Sequence, residues 1–278
     1  PLCAIIRNKN TQSKDYSNLR YAMRPGHADY SGRMKYKGFN DFRGSGHFSG
    51  RITAGLVFAG AIANQILKSQ GIEIISHVHS IHTIKDKPFE LTGISQELFD
   101  KLANSAFPVI DDTVAEEMKQ CIRKAKEEQD SVGGVVECAI LNVPAGVGDP
   151  FFDSIESTLA HLLFSVPAVK AVEFGRGFEI STLKGSQAND PYYIDNGTIK
   201  TSSNNNGGII GGITNGMPII FRCAIKPTAS ISQEQKTVDI IKMENTTLKV
   251  EGRHDPCIVP RVLPVIEAVS ALAILDRL

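Results

Sequence analysis

Positive charge and repeated glycines are concentrated between Arg24 and Arg51 of a chain whose formal net charge is zero. This segment reads RPGHADYSGRMKYKGFNDFRGSGHFSGR, so guanidinium, ammonium and imidazole groups alternate with exposed backbone amides that can hold a phosphate. Gly46 and Ser49 stand directly before an apolar helical pattern that starts at Gly50, and the N-terminus of a helix attracts anions. The segment predicts an anion site, with a solvated basic loop or an RNA-binding patch as alternatives.

His27 of this segment and two further motifs carry groups that could transfer a proton or hold an anion. His27 lies between two small residues of the basic segment, and an ordinary histidine titrates near neutral pH, which suits general acid catalysis. The motif GRHDPC places Arg253 and Asp255 close together, so they could bind an anion and accept a proton, or form a buried ion pair. The motif KPTAS, residues 226–230, combines a cation, a fixed bend and two hydroxyl groups, which suits a phosphate or ribityl chain but also any turn.

Other patterns argue against common cofactor folds and metal sites. The stretch SNNNGGIIGGITNG (203–216) lacks the GK[ST] of a P-loop and the strand and helix of a Rossmann site, so it predicts a hairpin or a close backbone approach to a ligand. His77 and His79 share one face of a predicted strand while His82 falls on the other, and no carboxylate is adjacent in sequence, so no metal site is predicted. The five scattered cysteines form no CxxC pair and are interpreted as small apolar fillers in a reducing compartment.

The elements that must position these groups follow from hydrophobic periodicity. Apolar residues spaced by three and four predict helices at 50–70, 113–129 and 152–165 and after Pro264, of which the first and last are expected to be buried. Strands are predicted at 72–84, 133–144 and 168–180, and the polar segments 10–49 and 185–208 are predicted to be a long ordered loop and a mobile loop or ligand lid. We expect one α+β domain over 1–278, with apolar helices sandwiched by sheets.

Overall charge and the lack of a targeting pattern bound the location of the protein. Lys plus Arg and Asp plus Glu both number 30 among 278 residues, so no global field recruits nucleic acid or an anionic membrane. Apolar runs such as 56–62 are too short to cross a bilayer, and PLCAIIRNKN has no signal-peptide pattern. We expect a soluble cytoplasmic protein whose sequence begins inside a strand-like element, with a segment missing upstream.

Eight segments in chain order resemble the chorismate synthase family: RPGHADYSGRMKY, DFRGSGHFSGRITA, QDSVGGVVE, VPAGVGDPFFD, AVKAVEFGRGF, NNNGGIIGGITNG, KPTAS and GRHDPCIVPRVLPVIEA. The resemblance implies a β-α-β sandwich with buried helical layers between antiparallel sheets, assembled as a homotetramer. It implies the anti-1,4 elimination of phosphate from 5-enolpyruvylshikimate 3-phosphate, giving chorismate in the shikimate pathway. It also implies reduced FMN, with NADPH needed only indirectly and a separate flavin reductase as one source. A catalytically silent flavin- or phosphate-binding protein on the same scaffold is the alternative.

The same resemblance implies roles for individual residues. His27 resembles a proton donor near the phosphate or flavin, Asp255 resembles an aspartate that assists proton removal with the flavin N5, Ser49 lies in a motif lining substrate and flavin and is assigned to catalysis, and Arg51 is assigned to the substrate. The implied cofactor-binding residues are His47, Phe48, Ser49, Pro167, Ala168, Gly211, Lys226, Pro227, Thr228, Ala229, Ser230 and Arg253.

The sequence also departs from the family's pattern. It has His47 and Phe48 where many members have an Arg-Ser pair, and GRITA where many have ARETA. The family's GESHG-type motif, with a further catalytic histidine, and its two N-terminal substrate-binding arginines have no counterpart in the sequence. We therefore expect a chain of only these residues to turn over poorly.

Overall fold

The computed structural model describes residues 2–7, 21–41, 43–250 and 254–278. Its α-helices are α1 (Asp29–Lys35), α2 (Thr53–Ser69), α3 (Gln96–Ala103), α4 (Asp112–Glu127), α5 (Ile155–Ser165), α6 (Gly185–Ala188) and α7 (Val259–Leu275). Its strands are β1 (Glu73–Ile81), β2 (Ile84–Lys85), β3 (Gly134–Leu141), β4 (Val169–Phe174), β5 (Tyr192–Asp195), β6 (Thr198–Thr201), β7 (Ile209–Ile210), β8 (Ile213–Thr214), β9 (Ile219–Ile225), β10 (Glu234–Asp239) and β11 (Glu244–Lys249). The predicted mixed α+β fold with antiparallel sheets is confirmed.

A central antiparallel sheet has the strand order β2-β1-β3-β9-β4. Because side chains alternate between the faces of a strand, Ile74 and Val78 of β1 enter the main core with the helices, whereas Ile75 enters a smaller core beneath α3. The mixed apolar and polar pattern of β1 predicts a half-buried strand, but nearly all of β1 is buried. Helices cover one face of the sheet and the 86–111 segment covers the other, which is why polar residues of this strand are buried too.

Helices α2, α5 and α7 form a layer on one face of the sheet. The last of these is mostly buried and begins at Val259, so Pro264 lies within α7 rather than before it. A Cβ atom placed on Gly60 would lie 2.3 Å from the Cβ of Ala268, so α2 and α7 approach each other as closely as a glycine permits. This packing positions the N-termini of α2 and α7 relative to the sheet.

The prediction that α2 is buried is wrong for most of its surface. Only Gly60, Ala63 and Leu67 are buried, while Phe58 and Ile66 are about two-fifths exposed, at 40% and 42%. The reason is that α2 packs mainly against α7 and presents most of its remaining surface to solvent. By length and composition alone, the helical stretch Gly50–Ser69 is long and apolar enough to cross a membrane. The sequence prediction considered only shorter apolar runs such as 56–62 and did not anticipate this. Such a test is also passed by helices of soluble proteins, and the tight contact at Gly60 is an interaction between packed helices.

Four segments differ from their predicted conformation. The strand predicted at 168–180 ends at Phe174, and Gly177–Thr182 form a 3₁₀ helix. The described part of 10–49 includes α1, and residues 2–7 form no strand. Residues 185–208 contain α6 and the β5–β6 hairpin, and the carboxylate of Asp190 accepts hydrogen bonds from Ser203 Oγ and the Asn205 backbone N–H, each at 2.7 Å. The polar side chains that predicted a loop here are used to hold the segment together.

The cysteine interpretation is confirmed for three of the five residues. Cys138, Cys223 and Cys257 are buried, and Cys121 is half-buried. Cys3 is exposed, because residues 2–7 lie on the surface. All five thiols are free.

Candidate functional site

Most of the singled-out motifs meet at one end of the central sheet. Strand β9 ends at Ile225, which lies opposite both Gly134 at the start of β3 and Val169 at the start of β4. KPTAS directly follows Ile225, and Pro167 and Ala168 directly precede Val169. The Lys226 backbone N–H donates a hydrogen bond to the Ala168 carbonyl at 2.9 Å, so these two motifs are neighbours.

The turn that carries His27 packs against KPTAS. Lys226 Nζ donates to the Gly26 carbonyl at 2.6 Å, and His27 Nε2 lies 2.9 Å from Ser230 Oγ. Gly26 has a φ of 72°, and a Cβ placed there would lie 2.9 Å from the Cβ of Ala229, so only a glycine fits this contact. Two motifs about 200 residues apart therefore form one surface.

The Asp255 motif lies at the same surface. Two residues to which the sequence assigned no role, Ser131 and Val132, connect it to KPTAS. Ser131 Oγ donates to the Thr228 carbonyl at 2.6 Å, and the Val132 N–H donates to the Pro256 carbonyl at 2.8 Å. Ser131 and Val132 belong to the QDSVGG motif, which contributed to the family resemblance but predicted no function on its own. They join KPTAS to Pro256, the residue that follows Asp255.

The electrostatic environment of His27 corrects the expectation of a near-neutral imidazole. Burial of the ring, followed by the positive charge of Arg24, lowers the pKa of His27 from 6.5 to about 4. Lys226 and His254 lower this pKa further and Asp29 opposes them, which also shows that His254 lies near His27. In the free protein His27 is therefore neutral at physiological pH, and an anion beside it would raise its pKa.

Arg24 is not available to a ligand in the way the basic segment suggested. Its Nε and Nη2 donate to the two carboxylate oxygens of Asp29, each at 2.7 Å, and Nη2 also donates to Ser45 Oγ at 3.1 Å. Only 6% of Arg24 is exposed. This bidentate pair fixes the turn that presents His27 and leaves Lys226 as a cation beside that turn.

Three buried polar atoms around this surface have no hydrogen-bond partner within the described residues: Thr228 Oγ1, His254 Nε2 and Asp255 Oδ2. Arg261 Nε lies 2.9 Å from Asp255 Oδ2 as an ion pair, but the two groups are not aligned for a hydrogen bond, so the oxygen keeps its acceptor capacity. Buried polar groups are nearly always satisfied in folded proteins, so a cluster of unsatisfied ones fits a polar ligand. His254 is a member of this cluster that sequence reasoning did not single out.

Ser49, His47 and Phe48 lie just before α2, and the direction of α2 places its N-terminus at the same end of the sheet. The C-terminus of α2 leads into Glu73, which pairs with Leu141 at the opposite end. Ser49 Oγ accepts a hydrogen bond from the Arg51 N–H at 3.3 Å, so it caps the following turn, as its position predicts. The His47 ring meets Tyr36 edge-on and Phe48 at 4.3 Å between centroids. The side chain of Arg51 is exposed.

One predicted cofactor residue, Gly211, is not brought to this place. Gly211 lies in the turn between β7 and β8, whose neighbour Gly212 accepts a hydrogen bond from the Ile155 N–H at the start of α5. That is the Ile219 end of β9, roughly 20 Å from the Ile225 end for a strand of seven residues. Arg253 lies outside the described residues.

Comparisons with known proteins agree on one family. A family model described as "Chorismate synthase" matches residues 1–278. A curated "Chorismate synthase" from Dehalococcoides mccartyi is 50% identical over 276 residues, covering 99% of this chain and 75% of the relative, and one from Pyrococcus abyssi is 46% identical over 279 residues, covering 100% and 76%. A solved structure, "Crystal Structure of Chorismate Synthase", superposes with a TM-score of 0.74 at 32% identity, covering 90% of this chain and 69% of that one.

Proposed function

The chain belongs to the chorismate synthase family, and we propose that it carries out the family's reaction where the His27 turn, KPTAS and Asp255 meet. That reaction is the elimination of phosphate from 5-enolpyruvylshikimate 3-phosphate, catalysed by a carbon-oxygen lyase of the shikimate pathway with reduced FMN. The family consists of soluble biosynthetic enzymes, and we assign this member to the cytoplasm. The observation that carries the location is the cluster of unsatisfied buried atoms beside the His27 to Ser230 contact.

The chemistry of the elimination explains why such a surface is needed. Breaking the bond between carbon and the phosphate oxygen builds negative charge on the leaving group, and the substrate must also lose a proton from its ring. Lys226 and the N-terminus of α2 can stabilise the phosphate, since both present positive charge at this end of the sheet. Reduced FMN, when bound, supplies electron density to the electron-poor ring.

His27 and Asp255 take opposite roles in this proposal. Binding of an anion raises the pKa of His27, so the imidazole gains a proton that it can donate, while Ser230 holds its Nε2 in place. Asp255 accepts the proton through Oδ2, which forms an ion pair with Arg261 Nε at 2.9 Å but no aligned hydrogen bond within the described chain. Ser49 orients the entry to α2, and the exposed side chain of Arg51 meets the substrate.

The groups around KPTAS fit a flavin phosphate and its polyol chain. Thr228 Oγ1 can bond a ligand hydroxyl, and the exposed Pro227 together with the half-buried Pro167, Ala168 and Ala229 can contact a flat ring. Within one copy Gly211 lies roughly 20 Å from KPTAS, so we assign its flavin contact to a second copy in the proposed homotetramer. NADPH acts only indirectly in this proposal, by reducing the flavin through a separate reductase. We also assign residues 1–278 to a single domain, which the shared hydrophobic core of the described residues supports.

An anaerobic titration with reduced FMN followed by substrate tests the proposal. We expect reduced FMN to bind, and the addition of 5-enolpyruvylshikimate 3-phosphate to produce a transient change in flavin absorbance. Asp255→Asn should abolish that change and leave FMN affinity within about threefold, since only proton acceptance is lost. His161→Ala, at an exposed position on α5, is the matched control. Unchanged transients in Asp255→Asn would rule out the proposed role of this carboxylate, and absence of FMN binding would rule out the location.

A further inference from the structure

A second cluster of ionisable side chains lies on the face of the central sheet away from α2 and α7. His77 of β1 is paired directly with Glu137 of β3, Glu137 with Arg222 of β9, and Arg222 with Glu173 of β4. Paired residues of neighbouring strands point to the same face, so these four groups form a row across the sheet. The row is independent of the proposed flavin site, because it faces α3 and the 86–111 segment rather than the helical layer.

His77 is held by two carboxylates. Its Nδ1 lies 3.1 Å from Asp86 Oδ2 and its Nε2 lies 2.9 Å from Glu137 Oε2. The carboxylate of Asp86 accepts hydrogen bonds from the backbone N–H groups of Lys87, Ile110 and Asp111, so it is an acceptor towards His77 and Nδ1 carries a proton. This leaves Nε2, which faces Glu137, as the ring nitrogen placed to bind a metal ion.

His79 is the part of the cluster that hydrogen bonding leaves unexplained. Only 9% of the residue is exposed, and its Nδ1 is buried with no partner among the described residues. One ring nitrogen each of His77 and His79 and a carboxylate oxygen of Glu137 lie within 4.8 Å of one another. Buried polar atoms are nearly always satisfied, so the unpartnered nitrogen of His79 points to a missing ligand. With His77 and Glu137 beside it, that ligand can be a metal ion.

We propose that His77, His79 and Glu137 bind one divalent transition-metal ion of the Zn²⁺ type, with Asp86 orienting His77 from behind. Two imidazoles and one carboxylate form a known donor set for zinc and related metals, leaving a position for water. A carboxylate on the second nitrogen of a metal-binding histidine is the usual supporting contact. The sequence alone predicted no metal here because no carboxylate is adjacent to the histidines, whereas strand pairing brings Glu137 from 60 positions away.

Geometry and charge both permit the ion. Tetrahedral ligands at about 2.0 to 2.1 Å from zinc are about 3.4 Å apart, so the 2.9 Å pair must open by about 0.5 Å and no pair must close by more than about 1.4 Å. Asp86, Glu137 and Glu173 bring three carboxylates to this face of the sheet, against the one guanidinium of Arg222, so the surroundings of the three ligands favour a cation.

Titration of the chelator-treated chain with Co²⁺ and then Zn²⁺ tests this proposal. We expect one equivalent of Co²⁺ to give visible absorption bands, and Zn²⁺ to displace it. His79→Ala should weaken binding by about 10- to 100-fold, and Glu137→Gln should do the same while keeping an oxygen for the Phe89 N–H. His161→Ala removes an exposed histidine and should leave the affinity unchanged.

The outcomes separate the ion from a closed network of hydrogen bonds. Less than about a tenth of an equivalent of Co²⁺ bound, or an affinity that both His79→Ala and Glu137→Gln leave within about twofold, overturns the proposal. If one of the two variants does not fold by circular dichroism, the other decides. Metal binding should also raise the melting temperature of the chain and not that of His79→Ala.

Discussion

The low pKa of His27 makes the affinity for an anionic ligand depend on pH in a defined direction. In the free chain, burial and Arg24 lower this pKa to about 4 from an ordinary value of 6.5. A bound flavin phosphate or substrate phosphate would raise the pKa, so binding takes up a proton at intermediate pH. By linkage, the ligand then binds more tightly as the pH falls.

The magnitude follows from the two pKa values. If the anion does no more than restore the ordinary value, affinity rises about 30-fold between about pH 8 and about pH 5. Since His27 is only half-buried, screening by solvent reduces the expected effect to about tenfold. Arg24 contributes to the shift but is held by Asp29, so it does not move away to cancel the effect.

Titration with oxidised FMN, followed by flavin fluorescence at several pH values, measures the effect. The phosphate of FMN itself titrates near pH 6, so the pH dependence is compared with that of His27→Gln, which keeps a polar atom towards Ser230 but has no titratable ring. The ratio of affinities at the two pH values should be about tenfold larger in the unmodified chain than in His27→Gln. Equal ratios, or tighter binding at higher pH in the unmodified chain only, would refute the reasoning.

Three further predictions concern packing and burial. Gly60→Ala should lower the free energy of unfolding by about 1 to 3 kcal/mol because its Cβ meets Ala268, whereas Gly55→Ala, which meets nothing within 4 Å, should raise it by up to about 1 kcal/mol; denaturant unfolding compares them, and equal effects would contradict the close approach. Asp190→Asn should lower the free energy of unfolding by about 2 kcal/mol, because backbone donors of the 185–208 segment are left unsatisfied, and Asp195→Asn should lower it by less than about 1 kcal/mol. The reverse order in the same assay would contradict the role of Asp190 in holding this segment together. Burial raises the pKa of Cys223 to about 12, so a thiol reagent at about pH 8 should modify Cys3 quickly and Cys223 only on unfolding, and equal rates by mass spectrometry would contradict its burial.

The local elements were largely predictable from the sequence. Periodicity predicted α2, α4 and α5 and the strands β1 and β3 to within a few residues, because helix and strand patterns depend on near neighbours along the chain. The start of α7 was missed because Pro264 read as a boundary, although a proline can occupy a helix that packing stabilises. The 185–208 segment was missed because its polar residues bond to one another, which hydrophobic pattern does not register.

The motifs of the candidate site were also visible in the sequence, but their environments were not. RPGHAD and KPTAS are recognisable by residue type, whereas the contact between His27 and Ser230 joins positions 203 apart. That contact, with Lys226 and His254 nearby, lowers the pKa of His27 well below the neutral range assumed from residue type alone. Separation of Gly211 from KPTAS likewise depends on the length of β9.

The sequence by itself determined the family, the reaction class, the mixed α+β architecture and the residue types available for chemistry. Tertiary structure alone decided which face of α2 stays exposed, that Arg24 is taken by Asp29, and that Glu137 lies beside His77. The physical reason is range: backbone propensity and periodicity are settled within a few residues, but burial, charge and desolvation depend on distant parts of the chain that meet only in the folded protein.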